Sequence, residues 1–308
     1  MYQGRSRVVI VSGLELWQWC QEARSQAAEF NVPLQEIDWL LQTVADLEKL
    51  ELRLQSFKTR SQINMQIPLI QLTQLWQRRL EERLPVQYIA GITPWRNFFL
   101  QVSNAVLIPR PETECLIDLA IAAAHDQVDP RSISEIPEQW ADLGTGSGAI
   151  AIGLAEVLTN ATIYAVDISA AALAIAQKNA QTLGWSNRIH FNQGSWFEPL
   201  QALRGQLNGI VSNPPYIPSQ IVPQLQPEVA HHEPHLALDG GADGLDCIRH
   251  LINQAPDYLQ PEGILLFEMM AGQAAEVRQL LNSQGSYQKI TIHRDLAGIE
   301  RFALAYRK

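Results

Sequence analysis

The chain has 308 residues, 46% apolar and 18% charged, enough to build sizeable cores in one large domain and a smaller one. Its net charge of −9 is uneven: residues 1–110 hold 12 Lys/Arg and 10 Asp/Glu, whereas residues 111–308 hold 11 and 22, a poor surface for a phosphate backbone unless a local basic groove exists. Cys20, Cys115 and Cys247 lie too far apart for a disulfide framework, Val8–Val11 is too short for a signal sequence, and no apolar run approaches the about 20 residues that span a bilayer, so a reducing cytoplasmic setting is expected.

Residues 1–12 carry no clear pattern and read as a loose end. Leu14, Trp17, Cys20, Ala23, Ala27 and Phe30 then recur at helical spacing. Pro33 suits the start of a second helix, with Ile37, Leu40, Leu41, Val44 and Leu47 on one face. Residues 68–84 repeat the scheme through Leu72, Leu75, Trp76 and Leu80. Together these predict a small helical bundle with Trp17, Trp39 and Trp76 in its core. Pro85 stops the helices. Residues 86–108 alternate loosely around Gly91, Pro94 and Asn104, as hairpin strands do. They end in Ile108-Pro109-Arg110-Pro111-Glu112-Thr113-Glu114, a rigid charged corner before a helix over 116–124. The corner reads as a helix start with Pro111 in its first turn, or as a lip over an active site; one segment can be both.

After a polar loop over 126–137, strands and helices alternate strictly. Strands are expected at 140–143, 161–166, 189–192, 209–212 and 263–268, with helices at 149–158, 170–183, 245–259 and 272–283. Two closing strands, 287–293 and 301–306, follow. Such alternation gives a parallel sheet with helices on both faces. A long loop, 218–244, interrupts it.

Two motifs carry chemistry. Gly144-Thr145-Gly146-Ser147-Gly148 joins a strand to a helix, where such sheets bind ligands and glycine lets the backbone approach them. Asp167 ends the next strand and suits ribose hydroxyls. The pair points to an adenosine-type cofactor, and because Gly144, Gly146 and Ala149 also satisfy G-x-G-x-x-G/A, a nicotinamide dinucleotide competes. The second motif is Asn213-Pro214-Pro215-Tyr216, at the end of the fourth strand. Each proline fixes its φ and lacks an N–H, so their carbonyls and the Asn213 amide oxygen are left as acceptors beside the flat Tyr216 ring. Two fixed acceptors grip both hydrogens of a planar NH2 and aim its nitrogen at an electrophile. The same four residues also make an ordinary strand-ending turn. A dehydrogenase has no use for an amine clamp there, whereas a methyltransferase using S-adenosylmethionine does. His231, His232 and His235 share one loop without a matching Cys/His pair, so no metal is expected; Glu228 and Glu233 in that loop shape a substrate mouth or merely solvate it. Residues 236–244, with Gly240, Gly241 and Gly244, read as a lid hinge or as a loop needing positive φ.

Residues 108–114, 142–148, Asp167, Trp196-Phe197, 213–216 and Glu233-Pro234-His235-Leu236-Ala237-Leu238 together resemble the HemK family, the peptide-chain release factor glutamine N5-methyltransferases. The resemblance runs from about Pro85 to the end. Asn-Pro-Pro-Tyr alone is shared with adenine N6-methyltransferases, and the 108–114 element makes the narrower assignment. The resemblance implies a class I S-adenosylmethionine methyltransferase, α/β and Rossmann-like, with a seven-stranded mostly parallel sheet. It implies a helical substrate-docking domain over 1–84, a hairpin connector over 85–108 and a methyltransferase domain over 109–308. It further implies that Gly144, Thr145, Gly146, Ser147 and Gly148 cradle the cofactor's methionine part, that Asp167 binds the ribose, and that Trp196 packs by the adenine. Asn213, Pro214, Pro215 and Tyr216 would hold the substrate glutamine, with Asn213 also touching the cofactor. Ser195 stands where the family more often has Asp, and Met269 follows Glu268 where a small or imidazole residue is more usual.

The expected reaction is transfer of a methyl group from S-adenosylmethionine to the glutamine amide of the Gly-Gly-Gln motif in class 1 release factors, with Asn213, Pro214 and Tyr216 as the catalytic group. No membrane and no direct nucleic-acid partner are expected. The competitors are an adenine N6-methyltransferase on DNA or RNA, which would need a basic surface, and a non-catalytic scaffold that keeps the cofactor fold.

Overall fold

The structure is a computed structural model that describes residues 9–125 and 137–308, so the polar loop expected over 126–137 lies almost wholly outside the described residues, as do the first eight residues of the expected loose end. The chain begins with strand β1 (Val9–Val11), helices α1 (Gly13–Glu29), α2 (Gln35–Val44) and α3 (Lys49–Leu54), strand β2 (Ile63–Met65), and helices α4 (Leu69–Glu81) and α5 (Val86–Ala90). A hairpin of β3 (Ile92–Trp95) and β4 (Phe98–Gln101) leads through a short 3-10 turn, Glu112–Glu114, into α6 (Cys115–His125). Then follow β5 (Glu138–Leu143), α7 (Ala149–Val157), β6 (Ala161–Asp167), α8 (Ala170–Leu183), β7 (Ile189–Gln193), β8 (Leu207–Ser212) and the single turn α9 (Pro227–Ala230). The chain closes with α10 (Asp246–Gln254), β9 (Leu259–Glu268), α11 (Ala274–Gln284), β10 (Tyr287–Arg294) and β11 (Glu300–Arg307).

Two compact units result: residues 1–91 with 226–232, and residues 92–225 with 233–308. The first is built on α1, which Ser12 and Glu15 start with a capping box: the Ser12 hydroxyl accepts the Glu15 N–H, and the Glu15 carboxylate accepts the Ser12 N–H at 3.1 Å. The buried face of α1 is Leu16, Trp19, Cys20, Ala23 and Ala27, whereas Leu14 and Phe30 are exposed and Trp17 is half-buried. The predicted face is therefore out of phase in the first turn, because the i, i+3, i+4, i+7 series starts from Leu16 and not Leu14. Trp19 packs edge-on against Trp76, and Trp17 instead donates its indole N–H to Gln55 beneath the Lys58 ammonium. Arg79 is buried in this unit, its guanidinium bonding both Glu36 oxygens and Glu228, so residues 226–232 are tied to α4 by a charge-assisted pair.

Part of the expected hairpin region is helical. Pro85 presets the helix start and Gly91, at φ +70°, ends it, so Val86–Ala90 forms α5 and only residues 92–101 form the hairpin. Val9–Val11, expected as a loose end, pairs antiparallel with Ile63–Met65.

The second unit holds one seven-stranded sheet in the order β10-β11-β9-β8-β5-β6-β7. Six of these strands run in the same direction, and β11 runs antiparallel to both its neighbours, β9 and β10. Both faces are buried, so apolar residues run on continuously and alternate between two cores. Trp140, Ile264 and Leu266 join α6 and α7 on one face; Ala141, Leu143, Leu265 and Phe267 join α10 and α11 on the other. Pro256 turns the end of the expected 245–259 helix into a 3-10 turn, and β9 begins at Leu259.

Candidate active site

Sheet order places the site. The chain runs outward from β5 through β6 to β7, then returns to β8 on the other side of β5, so the connections leave β5 in opposite directions and open a crevice at the strands' carboxyl ends. Leu143 is level with Val166 on one side and Ser212 on the other, and Ser212 is level with Phe267. The next residue on each strand therefore lies in one row: Asp167, Gly144, Asn213, Glu268. Residues far apart in sequence meet here because parallel register brings four strand ends to one height.

A cavity of about 280 Å³ opens along this row, near the lower end of ordinary ligand pockets. Its wall includes Gly144, Gly146, Asp167, Trp196, Asn213 and Pro215. Gly144 and Gly146 take φ of +77° and +54°, and a Cβ at either would meet no protein atom within 4 Å, so the loop leaves room that a side chain would occupy. The loop is propped from beneath. Asp142 is fully buried; its Oδ2 accepts the Thr145 hydroxyl at 2.6 Å and the Ala151 N–H at 2.9 Å, and its Oδ1 has no partner among the described residues. Burial pushes its carboxyl up to about 7, against the pull of those two donors. Asn179 donates to the Ser147 and Gln101 carbonyls and accepts the Gln101 N–H, pinning loop, helix and hairpin together. Asp167 accepts N–H groups of Gly146 and Ser169, one on each oxygen, which fixes its carboxylate at the wall. Trp196 holds φ +50°, a conformation rare for a bulky residue, and lies tilted 5.9 Å from the His250 ring.

The Asn213–Tyr216 turn is held on several sides. Asn213 Nδ2 donates to Thr113 Oγ1 at 3.1 Å, and neither its Oδ1 nor the Pro214 carbonyl accepts a hydrogen bond among the described residues. Tyr216 donates its phenol to Glu268 at 2.9 Å; burial and the adjacent carboxylate hold the phenol well above its ordinary value, so it keeps its proton. Burial likewise raises Glu268, against the two hydroxyls that donate to it. Gln273 donates to the Tyr216 and Gly244 carbonyls, and the Ile217 backbone pairs with Leu238 and Gly240. Residues 236–244 thus pack against the turn. Of their two predicted readings, the geometry matches the loop needing positive φ, at Gly241 and Gly244. Arg110 reaches both oxygens of Glu233, whose side chain is buried, while its carbonyl accepts the Trp95 indole N–H. The 108–114 corner is therefore a helix start, with Pro111 before the 3-10 turn, and its buried Thr113 supports the Asn213 amide, while none of 108–114 lines the cavity itself.

Gly144, Gly146, Asp167, Trp196, Asn213 and Pro215 come together on the cavity wall; Thr145, Ser147, Gly148 and Pro214 are buried behind it, and Tyr216 is half-buried with its ring against the second core. Ser195 lies on the wall, and Met269 is fully buried, its N–H on the Arg301 carbonyl. His232 bonds the Glu82 carbonyl. Cys247 also lines the cavity, but burial pushes its thiol up to about 11, so it is no nucleophile near neutrality. The roles of Thr113, Asn179 and Gln273 had no signal of their own in the sequence, since each is defined by a partner distant in the chain.

These features define a class I methyltransferase, with the glycine loop and the Asn-Pro-Pro-Tyr turn facing one cavity at the switch point. A family described as a methyltransferase domain matches residues 138–298, and the solved hMettl16 catalytic domain in complex with MAT2A 3'UTR hairpin 6 shares the fold (TM-score 0.51, 17% identity, 77% of this chain and 80% of that one). The chain belongs to the release factor glutamine methyltransferase family: it is 51% identical to the member from Synechocystis sp. over 96% of this chain and 97% of that protein, and 47% identical to the one from Thermosynechococcus vestitus over 94% and 96%.

Proposed function

We propose that this protein transfers a methyl group from S-adenosylmethionine to the side-chain nitrogen of a glutamine, and that the glutamine is that of the Gly-Gly-Gln motif in a class 1 peptide-chain release factor. The carrying observation is the Asn213 amide on the cavity wall: its nitrogen is engaged by Thr113 and its oxygen is unengaged among the described residues. The release factor as partner is supported by the names of the close relatives. The cofactor is supported by the fold class and by an open glycine loop beside a fixed carboxylate. In this reading the loop from Gly144 to Gly148 holds the methionine part, Asp167 the ribose and Trp196 the adenine. The helical N-terminal region docks the protein substrate, and the enzyme works in the cytoplasm without metal or nucleic acid.

When bound, S-adenosylmethionine supplies an electrophilic methyl on a sulfonium that leaves as a neutral thioether. Asn213 Oδ1 and the Pro214 carbonyl accept the two amide hydrogens, and Tyr216 packs beside the planar group. With the cofactor in place, positive charge would grow on the nitrogen and the two oxygens would stabilise it through those same hydrogens, the surplus proton being lost to solvent water. A carboxylate offers no hydrogen and leaves both acceptors unpaired, so glutamate is rejected. Asn213→Ala is expected to lower kcat on release factor by about 10²–10³-fold, as for loss of one preorganised polar group, while the cofactor Kd by calorimetry moves only a few-fold. Turnover near that of the parent would remove Asn213 from this role.

A further inference from the structure

Glu268 ends β9 with only 1% of its surface exposed. Its Oε2 accepts the Thr113 hydroxyl at 2.7 Å, and its Oε1 accepts the Tyr216 phenol at 2.9 Å. A hydroxyl has one hydrogen, and Glu268 in its ionised form, which the two donating hydroxyls and the Arg301 charge favour against burial, can only accept, so the Thr113 hydrogen is committed to Glu268. Thr113 Oγ1 is then left with lone pairs alone. The group of Asn213 that faces it at 3.1 Å must be the NH2, since the flipped amide would set oxygen against oxygen with no hydrogen between them. Tyr216 is committed in the same way, because its retained phenol proton also goes to Glu268.

We propose that Thr113 and Glu268 are positioning residues that set the polarity of the clamp: the relay Glu268–Thr113–Asn213 keeps the Asn213 carbonyl oxygen, and not its NH2, facing the substrate, while the same carboxylate fixes the Tyr216 ring. The inference rests on the proposed reaction for its consequence. Glutamine selection is then a property of a buried carboxylate that touches neither substrate nor cofactor. Without the relay the Asn213 amide turns over, and an acceptor becomes a donor that opposes the substrate's own NH2.

The test has two arms. In the kinetic arm, Thr113→Val keeps shape and removes the hydroxyl. It is expected to lower kcat about 10- to 100-fold with the cofactor Kd and the KM for release factor within about threefold, and Thr113→Ser is expected to recover most of that loss. Parent-like kcat in Thr113→Val, or failure of Thr113→Ser to recover, overturns the relay. The second arm needs no substrate and no folded valine variant: in 15N-labelled parent enzyme, the Asn213 side-chain NH2 resonance, assigned by its loss in Asn213→Ala, is expected to show one hydrogen protected from solvent exchange. Two freely exchanging hydrogens overturn the relay. If the parent shows the protected hydrogen but does not methylate release factor, the functional reading falls and the relay stands.

Discussion

Buried carboxyl groups at two strand ends do opposite work. Glu268 accepts two hydroxyls and serves as a fixed acceptor, whereas Asp142 has one oxygen engaged and one orphaned. Asp142 therefore carries a pH dependence. Its folded-state pKa of about 7 lies above its ordinary 3.8, so the folded chain holds a proton that the unfolded chain has released between those values. Its contribution to stability is greatest at acid pH and falls as pH rises from about 4 to about 7. Asp142→Asn keeps both acceptor contacts through its amide oxygen and removes the titration. Urea unfolding of parent and variant is expected to show the difference in stability moving in the variant's favour as pH rises through that window; a difference independent of pH contradicts the assignment. Neither this residue's burial nor the contacts of Thr113 could be read locally: Thr113, in a 3-10 turn, meets Asn213 and Glu268 at separations of 100 and 155 residues, and only the tertiary fold brings them together.

At the scale of elements, the glycine loop was legible because its constraint is local. A strand, five residues of turn and an apolar helix predict a close-approach loop from glycine spacing alone. Thr145 and Ser147 read as part of the cradle; both are buried, the Thr145 hydroxyl donating to Asp142 and the Ser147 backbone carbonyl accepting from Asn179, so they hold the loop from beneath. Gly146→Ala tests the loop. Its φ of +54° makes alanine cost about 1–2 kcal/mol, and the new Cβ enters space that the protein leaves open. The expected result is a small fall in Tm and at least a tenfold loss in S-adenosylmethionine affinity by calorimetry; unchanged affinity contradicts the placing of the cofactor there. The α/β alternation was equally legible, since buried parallel strands read as apolar runs between helices. The phase of α1 was not, because Leu14 and Trp17 imitate a face that Leu16 and Trp19 actually form. Val9–Val11 and Ile63–Met65 escaped for another reason: three-residue strands carry too little pattern to show.

At the scale of the molecule, charge and family agree. The acidity of residues 111–308 disfavours a nucleic-acid strand as substrate, and the relatives that match nearly the whole chain are release factor glutamine methyltransferases. Among the described residues no helix is long and apolar enough to cross a membrane. The central proposal is that the Asn213 amide oxygen, on the cavity wall beside an open glycine loop, holds a glutamine amide for methylation. Peptide mass spectrometry of release factor after incubation with enzyme and S-adenosylmethionine, run beside an oligonucleotide and a release factor whose Gly-Gly-Gln glutamine is replaced by glutamate, tests it most directly. The account predicts one added methyl, mapped to that glutamine and absent from both controls; an unmodified glutamine with methyl on the oligonucleotide or on the glutamate form would contradict it.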